Sequence, residues 1–284
     1  MHNKTLLITG ANSGLGRVSA EHFAGNGAEV ILVCRNQEKA IAARDEITAK
    51  TGNANLHAYS ADLSAVEEVR KLGKKIIENH PRLHILMNNA GVLLGERRET
   101  VDGYETTFAT NHLAYFLLTR LLIDRLKESA PARIINVSSM VHAWGTINLD
   151  DIFMKRNYRA LPAYYQSKLA NVMFTYALAK RLEGTGVTVN CLHPGIVDTG
   201  FGREGSFLYK LSKAIARPFF YINPERGAET QIHLAESDDI KHLSGKYFTK
   251  KKAVKSSTLS YSVEDQEKLW RLSEEWCGLT HWPL

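Results

Sequence analysis

The 284-residue chain is poor in cysteine. It has three, Cys34, Cys191 and Cys277, and no CxxC pair. An odd, widely spaced set excludes a disulfide framework and suits a reducing compartment, where thiols stay free as small buried hydrophobes. Long apolar runs are missing too. A membrane helix needs about 20 apolar residues, and the best stretch, Tyr115–Ile123, is broken by Arg120. A strand-like run begins by Lys4, which leaves no room for a secretory leader of about 15 residues or more. The expectation is therefore a soluble, cytoplasmic chain without an N-terminal anchor. The eleven histidines show neither HExxH nor a Cys/His ligand spacing, so no metal site is expected. His112, His142 and His193 read as structural or pocket-lining. There is no GxSxG elbow, and no Gly-Lys-Ser/Thr follows the glycine-rich turn, which removes α/β-hydrolase and Walker-type chemistry. Charge of one sign is not concentrated either. A net +6 over a chain that is 44% hydrophobic and 23% charged reads as a dispersed solvated surface rather than a nucleic-acid footprint.

What is present is an alternation. Short β-branched runs at Thr5–Thr9, Glu29–Val33, Asn55–Tyr59, Ile85–Met87, Arg133–Val137 and Val187–Leu192 are separated by helical patterns. The helices are expected at Gly14–Asn26, Gln37–Thr51, Val66–Asn79, His112–Lys127 and Ala163–Leu182. Such an order predicts βαβ units, hence a parallel sheet of about seven strands with helices on both faces. Continuous apolar strands such as Val30–Val33 fit a sheet buried on both sides. No low-complexity tract or linker splits the chain, so residues 1–284 read as a single α/β domain. Ala143–Leu161 reads as a polar loop and Lys250–Lys252 as a solvated one. The aromatic and basic insertion at about 203–222 is expected at the substrate-binding edge of the sheet. Ser262–Cys277 reads as a closing helix with Leu269, Leu272 and Trp276 turned inward.

Two patterns carry chemistry. Thr9-Gly10-Ala11-Asn12-Ser13-Gly14-Leu15-Gly16 follows the first strand and opens the first helix. Glycines there allow a tight turn and bring backbone N–H groups up to a pyrophosphate at the positive end of the helix. An NAD site wants a carboxylate at the end of the second strand, but the sequence there is Val33-Cys34-Arg35-Asn36. Arg35 can pair instead with a 2′-phosphate, which favours NADP(H). Farther along, Tyr164 and Lys168 lie four apart on a helical segment and so share a face. A phenol with a pKa near 10 is a poor acid–base at neutral pH, and a neighbouring ammonium favours its phenolate. Such a Tyr can give a proton to a developing alkoxide or take one from an alcohol. Ser139, just past the fifth strand, is positioned to hydrogen-bond the same oxygen. Tyr165 lacks the spacing to Lys168.

Taken together these motifs resemble the short-chain dehydrogenase/reductase family over nearly the whole chain. TGANSGLG is similar to the family's TGxxxGxG turn, and Asn88-Asn89-Ala90-Gly91 to its NNAG motif. Asn111, Ser139, Tyr164 and Lys168 match its catalytic tetrad. His193-Pro194-Gly195 matches its PG motif, with Val197 and Thr199 on the turn toward the nicotinamide amide. Asp62-Leu63 sits where the family contacts adenine. The resemblance implies a Rossmann-type, doubly wound sheet and an NADP(H)-dependent oxidoreductase interconverting a carbonyl and an alcohol. Tyr164 would be proton donor and Ser139 would polarise the carbonyl. Lys168 would bind the nicotinamide ribose, and Asn111 would hold a water. NVSSMVHAW, YYQSKLANVMF, RLEGTGVTVNCLHPGIV and SGKYF are similar to the retinol dehydrogenase and protochlorophyllide reductase-like branch, as is the 25-residue spacing from Ser139 to Tyr164. That branch implies a hydrophobic, retinoid-like substrate. Family members pair through helices corresponding to His112–Lys127 and Ala163–Leu182, which implies a homo-oligomer. The rival reading is an NADP(H)-binding regulatory protein with little turnover; the intact tetrad argues against it.

Overall fold

The computed structural model describes residues 1–196 and 222–282. Eight strands form one sheet in the order β3-β2-β1-β4-β5-β6-β7-β8. They are β1 (Thr5–Thr9), β2 (Glu29–Cys34), β3 (Leu56–Ser60), β4 (Ile85–Asn88), β5 (Ala132–Val137), β6 (Val187–His193), β7 (Lys246–Thr249) and β8 (Lys252–Val254). The first seven run parallel and β8 is antiparallel to β7. The strand count is thus eight rather than about seven. Lys250 and Lys251, with φ of 48° and 64°, make the two-residue hairpin turn between Thr249 and Lys252. A turn with both central residues left-handed favours Asn-Gly, and Lys-Lys carries no such signal. Lys250–Lys252 is accordingly a turn leading into an edge strand, not a plain loop. Lysine at an edge also discourages strand addition from another chain.

Successive strand residues point to opposite faces, and β1 supplies both cores. Leu7 joins α3 (Val66–Asn79), α5 (Ala114–Glu128), α6 (Ala160–Arg181) and α8 (Val263–Trp276) on one face. Leu6 and Ile8 join α1 (Gly14–Gly25), α2 (Gln37–Thr51) and α7 (Pro224–Glu236) on the other. A short α4 (Thr106–Phe108) runs through a π turn, Ala109–Leu113, into α5. The segment expected as a polar loop is largely irregular and exposed, though not wholly so. It holds 3₁₀ turns at Met140–Trp144 and Leu149–Asp151, then buries Ile152 and Phe153. Phe153 stacks on Tyr104 at 4.8 Å.

Closure comes from α8. Leu269 is buried as expected, but Trp270 is the larger anchor, where Leu272 and Trp276 are only half-buried. Its ring meets Phe116 at 4.9 Å and Phe174 at 5.8 Å, which covers part of α5 and α6 within the chain. These are the helices through which the family resemblance implied pairing. The 203–222 insertion lies outside the described residues, apart from Ile222, whose N–H bonds the Ile196 carbonyl at 2.8 Å. No helix among the described residues is long and apolar enough to cross a membrane.

Candidate active site

The order of strands reverses at β1, which pairs with β2 on one side and with β4 on the other. A crevice beyond the carboxyl ends of strands forms at such a reversal, and both motifs converge there. Gly10 and Gly14 adopt φ of 69° and 54°, a region costly for residues with a Cβ. A Cβ on Gly16 would lie 2.4 Å from the Gly10 carbonyl oxygen, so turn and helix touch backbone to backbone. Ser13 makes no side-chain cap to α1, and no acid occupies its first turn. By contrast α2 is capped by Asn36 and α8 by Ser262. The α1 end therefore offers N–H groups and a positive dipole without an internal anion, which fits a dinucleotide pyrophosphate. Thr9, Asn12 and Leu15 complete the turn.

The strand ends around this cradle are stitched together. Gly10 N–H donates to the Val33 carbonyl at 2.8 Å, two residues before the exposed Arg35. Thr9 Oγ1 accepts from Asn89 and Ala90 N–H at 2.9 and 3.0 Å, and Asn89 Nδ2 donates to the Thr9 carbonyl at 2.8 Å. Asn89 thus acts as a staple between β1 and β4, with its amide already engaged. Asp62 is exposed, and its Oδ1 accepts from Ser64 N–H and Oγ. Leu63 packs against the core beside it.

Lys168 is buried on α6, and its Nζ donates to the Val137 carbonyl at the end of β5, 3.0 Å away. Burial lowers its pKa from 10.5 to about 7. The ammonium lies 5.6 Å from the centre of the half-buried Tyr164 ring and 5.8 Å from that of Tyr115. Tyr115 in turn donates to the Ala90 carbonyl at 2.7 Å. Gly91 closes the same space: a Cβ there would lie 3.3 Å from Asn111 Oδ1 and 3.5 Å from Lys168 Nζ. Asn111, Gly91, Tyr164 and Lys168 are therefore brought together. Ser139 begins the 3₁₀ turn two residues past the carbonyl that Lys168 holds, and its Oγ faces the Val141 N–H at 3.5 Å.

Asn111 sits in the π turn, where Ala114 N–H reaches back five residues to the Ala109 carbonyl. Its side chain is fully used. Oδ1 accepts from Val92 N–H at 2.7 Å, and Nδ2 donates to the Val92 carbonyl and to Ser167 Oγ, each at 3.0 Å. Ser167 Oγ passes the chain on to the Tyr164 carbonyl at 2.7 Å. The Asn111 carbonyl also accepts from Asn171 Nδ2, at 2.8 Å.

Several supporting residues escape sequence reasoning. Buried Ser138 donates to the Lys168 carbonyl at 2.8 Å, although the Ser-Ser pair gives no hint which hydroxyl does this. His142 Nε2 accepts from Ser257 N–H at 3.1 Å. Its Nδ1 therefore carries the proton and donates to the Ser139 carbonyl at 2.7 Å; burial lowers its pKa. His193 Nδ1 is buried without a partner among the described residues, and desolvation, with His142 second, holds that imidazole down at about 4. Gly195 follows Pro194 at φ 96°, and its Cβ would meet Ile222 at 2.6 Å. Val197 and Thr199 lie outside the described residues.

Comparison with known proteins agrees with this arrangement. A family profile described as short chain dehydrogenase matches residues 4–206. Retinol dehydrogenase 12 of Mus musculus is 42% identical over 276 residues, covering 97% of this chain and 87% of its own. Retinol dehydrogenase 13 of Homo sapiens is 42% identical over 284 residues, covering 97% and 85%. Among solved structures, an uncharacterised protein from Mycobacterium Paratuberculosis superposes with a TM-score of 0.80 at 31% identity, covering 100% and 96%. A structure described as an NAD(P)-dependent gluconate 5-dehydrogenase from Beutenbergia cavernae, with bound NADP, gives 0.70 at 26%, covering 87% and 95%. A 3-ketoacyl-(acyl-carrier-protein) reductase from Brucella melitensis, complexed with NADH, gives 0.68 at 25%, covering 87% and 96%.

Proposed function

The chain belongs to the short-chain dehydrogenase family, and on that premise we propose that it is an NADP(H)-dependent reductase of lipophilic aldehydes or ketones with Tyr164 as its acid. Membership makes it an oxidoreductase of alcohol and carbonyl groups that uses a nicotinamide cofactor. The observation that carries the finer reading is the buried Lys168 ammonium held against Tyr164 by the Val137 carbonyl.

In this reading Thr9, Gly10, Asn12, Ser13, Gly14, Leu15 and Gly16 hold the pyrophosphate. Arg35 pairs with a 2′-phosphate, and the absence of an acid at the end of β2 removes the usual partner of a free 2′-hydroxyl. Asp62 and Leu63 border the adenine, and Asn89, Ala90, Gly91, Pro194, Gly195, Val197 and Thr199 line the nicotinamide half. Bound NADPH supplies the hydride and its electron pair. The protein handles the proton. Tyr164 gives its hydroxyl proton to the carbonyl oxygen, while Ser139 Oγ donates a hydrogen bond to that oxygen. Lys168 Nζ stabilises the phenolate left behind and donates to the nicotinamide ribose. A water on the Asn111 carbonyl links Lys168 to solvent for reprotonation. In the direction of alcohol oxidation the same groups run in reverse.

The substrate class follows the relatives, which are named as retinol dehydrogenases. A soluble, cytoplasmic single-domain enzyme is the accompanying reading, in keeping with three free, buried cysteines. Tyr164→Phe tests the assignment. It removes one oxygen and should lower turnover at least about 100-fold while NADPH affinity stays near wild type. Unchanged turnover would take Tyr164 out of the mechanism.

A further inference from the structure

The opposite edge of the sheet carries a cluster that the reaction does not use. Glu29 is the first residue of β2 and His57 the second of β3, whereas the turn and Arg35 lie beyond the other ends of the strands. The six residues of β2 separate the two edges by about 17–20 Å. His57 and Tyr59, two apart on β3, share a face, and the C-terminal end of α3 brings His80 against both. Glu29 Oε1 lies 3.2 Å from His57 Nε2 and 2.8 Å from His80 Nδ1. The three ligand atoms all fall within 4.8 Å of one another.

A zinc ion bound to imidazole and carboxylate at about 2.0–2.2 Å sets tetrahedral edges of about 3.3 Å, so small side-chain adjustments would admit one. Each deeper ligand already has an orienting partner. Tyr59 Oη lies 2.9 Å from His80 Nε2; Nδ1 donates to Glu29 Oε1 at 2.8 Å, and a metal taking the place of that proton requires the other tautomer, with Nε2–H donating to Tyr59 Oη. Thr5 Oγ1 donates to Glu29 Oε2 at 2.9 Å, which turns Oε1 toward the two imidazoles. Partners of this kind fix tautomer and ring direction at metal sites. The His80 side chain is 2% exposed, Glu29 28% and His57 42%. The cluster is therefore anchored at its base and open at its rim, where water can complete four-coordination. The Arg125 guanidinium, bonded to the His80 carbonyl, opposes a cation held by charge alone. Two imidazole nitrogens beside one carboxylate favour a borderline ion with strong imidazole bonds over Mg²⁺ or Ca²⁺, which take oxygen ligands.

We propose that Glu29, His57 and His80 form a three-ligand site for a zinc-class divalent transition ion, remote from the catalytic edge, that clamps β2, β3 and α3 together. Metal-stripped full-length protein is titrated with Zn²⁺, with Mg²⁺ as control, and its melting midpoint followed; Co²⁺ absorption reports geometry. One equivalent of Co²⁺ should develop the intense visible bands of a tetrahedral site. Excess Zn²⁺ should raise the midpoint by about 5 °C. His57→Ala should lose both signals while keeping its metal-free midpoint and its NADPH turnover within about twofold of wild type. His22→Ala, at a two-group pair with Glu236, should keep both signals. Glu29→Gln, which retains an oxygen for Thr5, should also lose them. Pale octahedral Co²⁺ bands, an equal effect of Mg²⁺, or signals that survive in His57→Ala would each overturn the proposal.

Discussion

At the scale of single residues, the site contains one costly feature, a buried amine. Lys168 titrates at about 7 in the cofactor-free protein against 10.5 when unperturbed. Between those values the unfolded chain binds a proton that the folded chain does not, so stability rises with pH across that window and the penalty is full below it. Lys168→Met should therefore melt higher than wild type at pH 7, by roughly 2–4 kcal/mol in stability. Loss of the bond to Val137 reduces the gain only in part. The advantage should shrink as pH approaches 10. A variant that is less stable at pH 7, or a gap that ignores pH, would contradict the burial argument. On the proposed NADP(H) reading, cofactor choice also rests on one residue. Arg35→Asp replaces a phosphate partner with a ribose partner and should move the ratio of NADPH to NADH efficiency at least about tenfold toward NADH, read from steady-state kinetics. An unchanged ratio would remove Arg35 from the 2′-phosphate. The residues proposed as tetrad and cofactor turn are legible in the sequence because the chemistry proposed for them depends on residue type at fixed spacing. Ser138, Tyr115, Ser167 and His142 are not. Their roles rest on backbone carbonyls and N–H groups of distant segments, which leave no mark on composition or period.

At the scale of elements, the strands and long helices were readable because apolar residues recur at the period of the element they form. Others, among them the π turn and the edge strand, were not. The π turn at Ala109–Leu113 adds one residue to a helical turn without changing the apolar pattern around it. Strand β8 is three exposed residues, too short for alternation to register. The closing helix lies where the apolar stripe implies, with Leu269 buried and Trp276 against the core, but Trp270, outside the expected inner set, is its largest buried side chain, since one apolar stripe does not tell which neighbour lies deepest. Arg181 shows what holds it. Its side chain is 0% exposed, pairs with both Glu267 oxygens at 2.6 and 2.9 Å, and lies 3.9 Å over the Trp270 ring. Removing the carboxylate leaves a buried guanidinium without its counter-charge. Glu267→Ala should cost about 3 kcal/mol, seen as a lower urea midpoint. A loss below about 1 kcal/mol would mean that Trp270 and the carbonyls of Ala177 and Trp282 suffice.

Across the whole molecule, a single sheet divides the labour between its two edges. The carboxyl ends of β1, β4 and β5 gather the glycine turn, Gly91, Ser139 and the Tyr164–Lys168 pair at the strand reversal. The amino ends keep Glu29, His57 and His80. Alternation of strand and helix implied this layout, because a parallel strand order forces every crossover to return to the same edge. Which distant residues would meet at the quiet edge could not be read from the chain, since contact across β2, β3 and α3 depends on register. The central claim is that the crevice turns over a carbonyl substrate with reduced nicotinamide. The direct measurement mixes the purified protein with NADPH and a panel of hydrophobic aldehydes and ketones, retinal among them, and follows the absorbance of the reduced nicotinamide. The account predicts consumption with at least one member and none without substrate. Tight NADPH binding with no consumption across the panel would contradict it and leave a protein that holds the cofactor without using it.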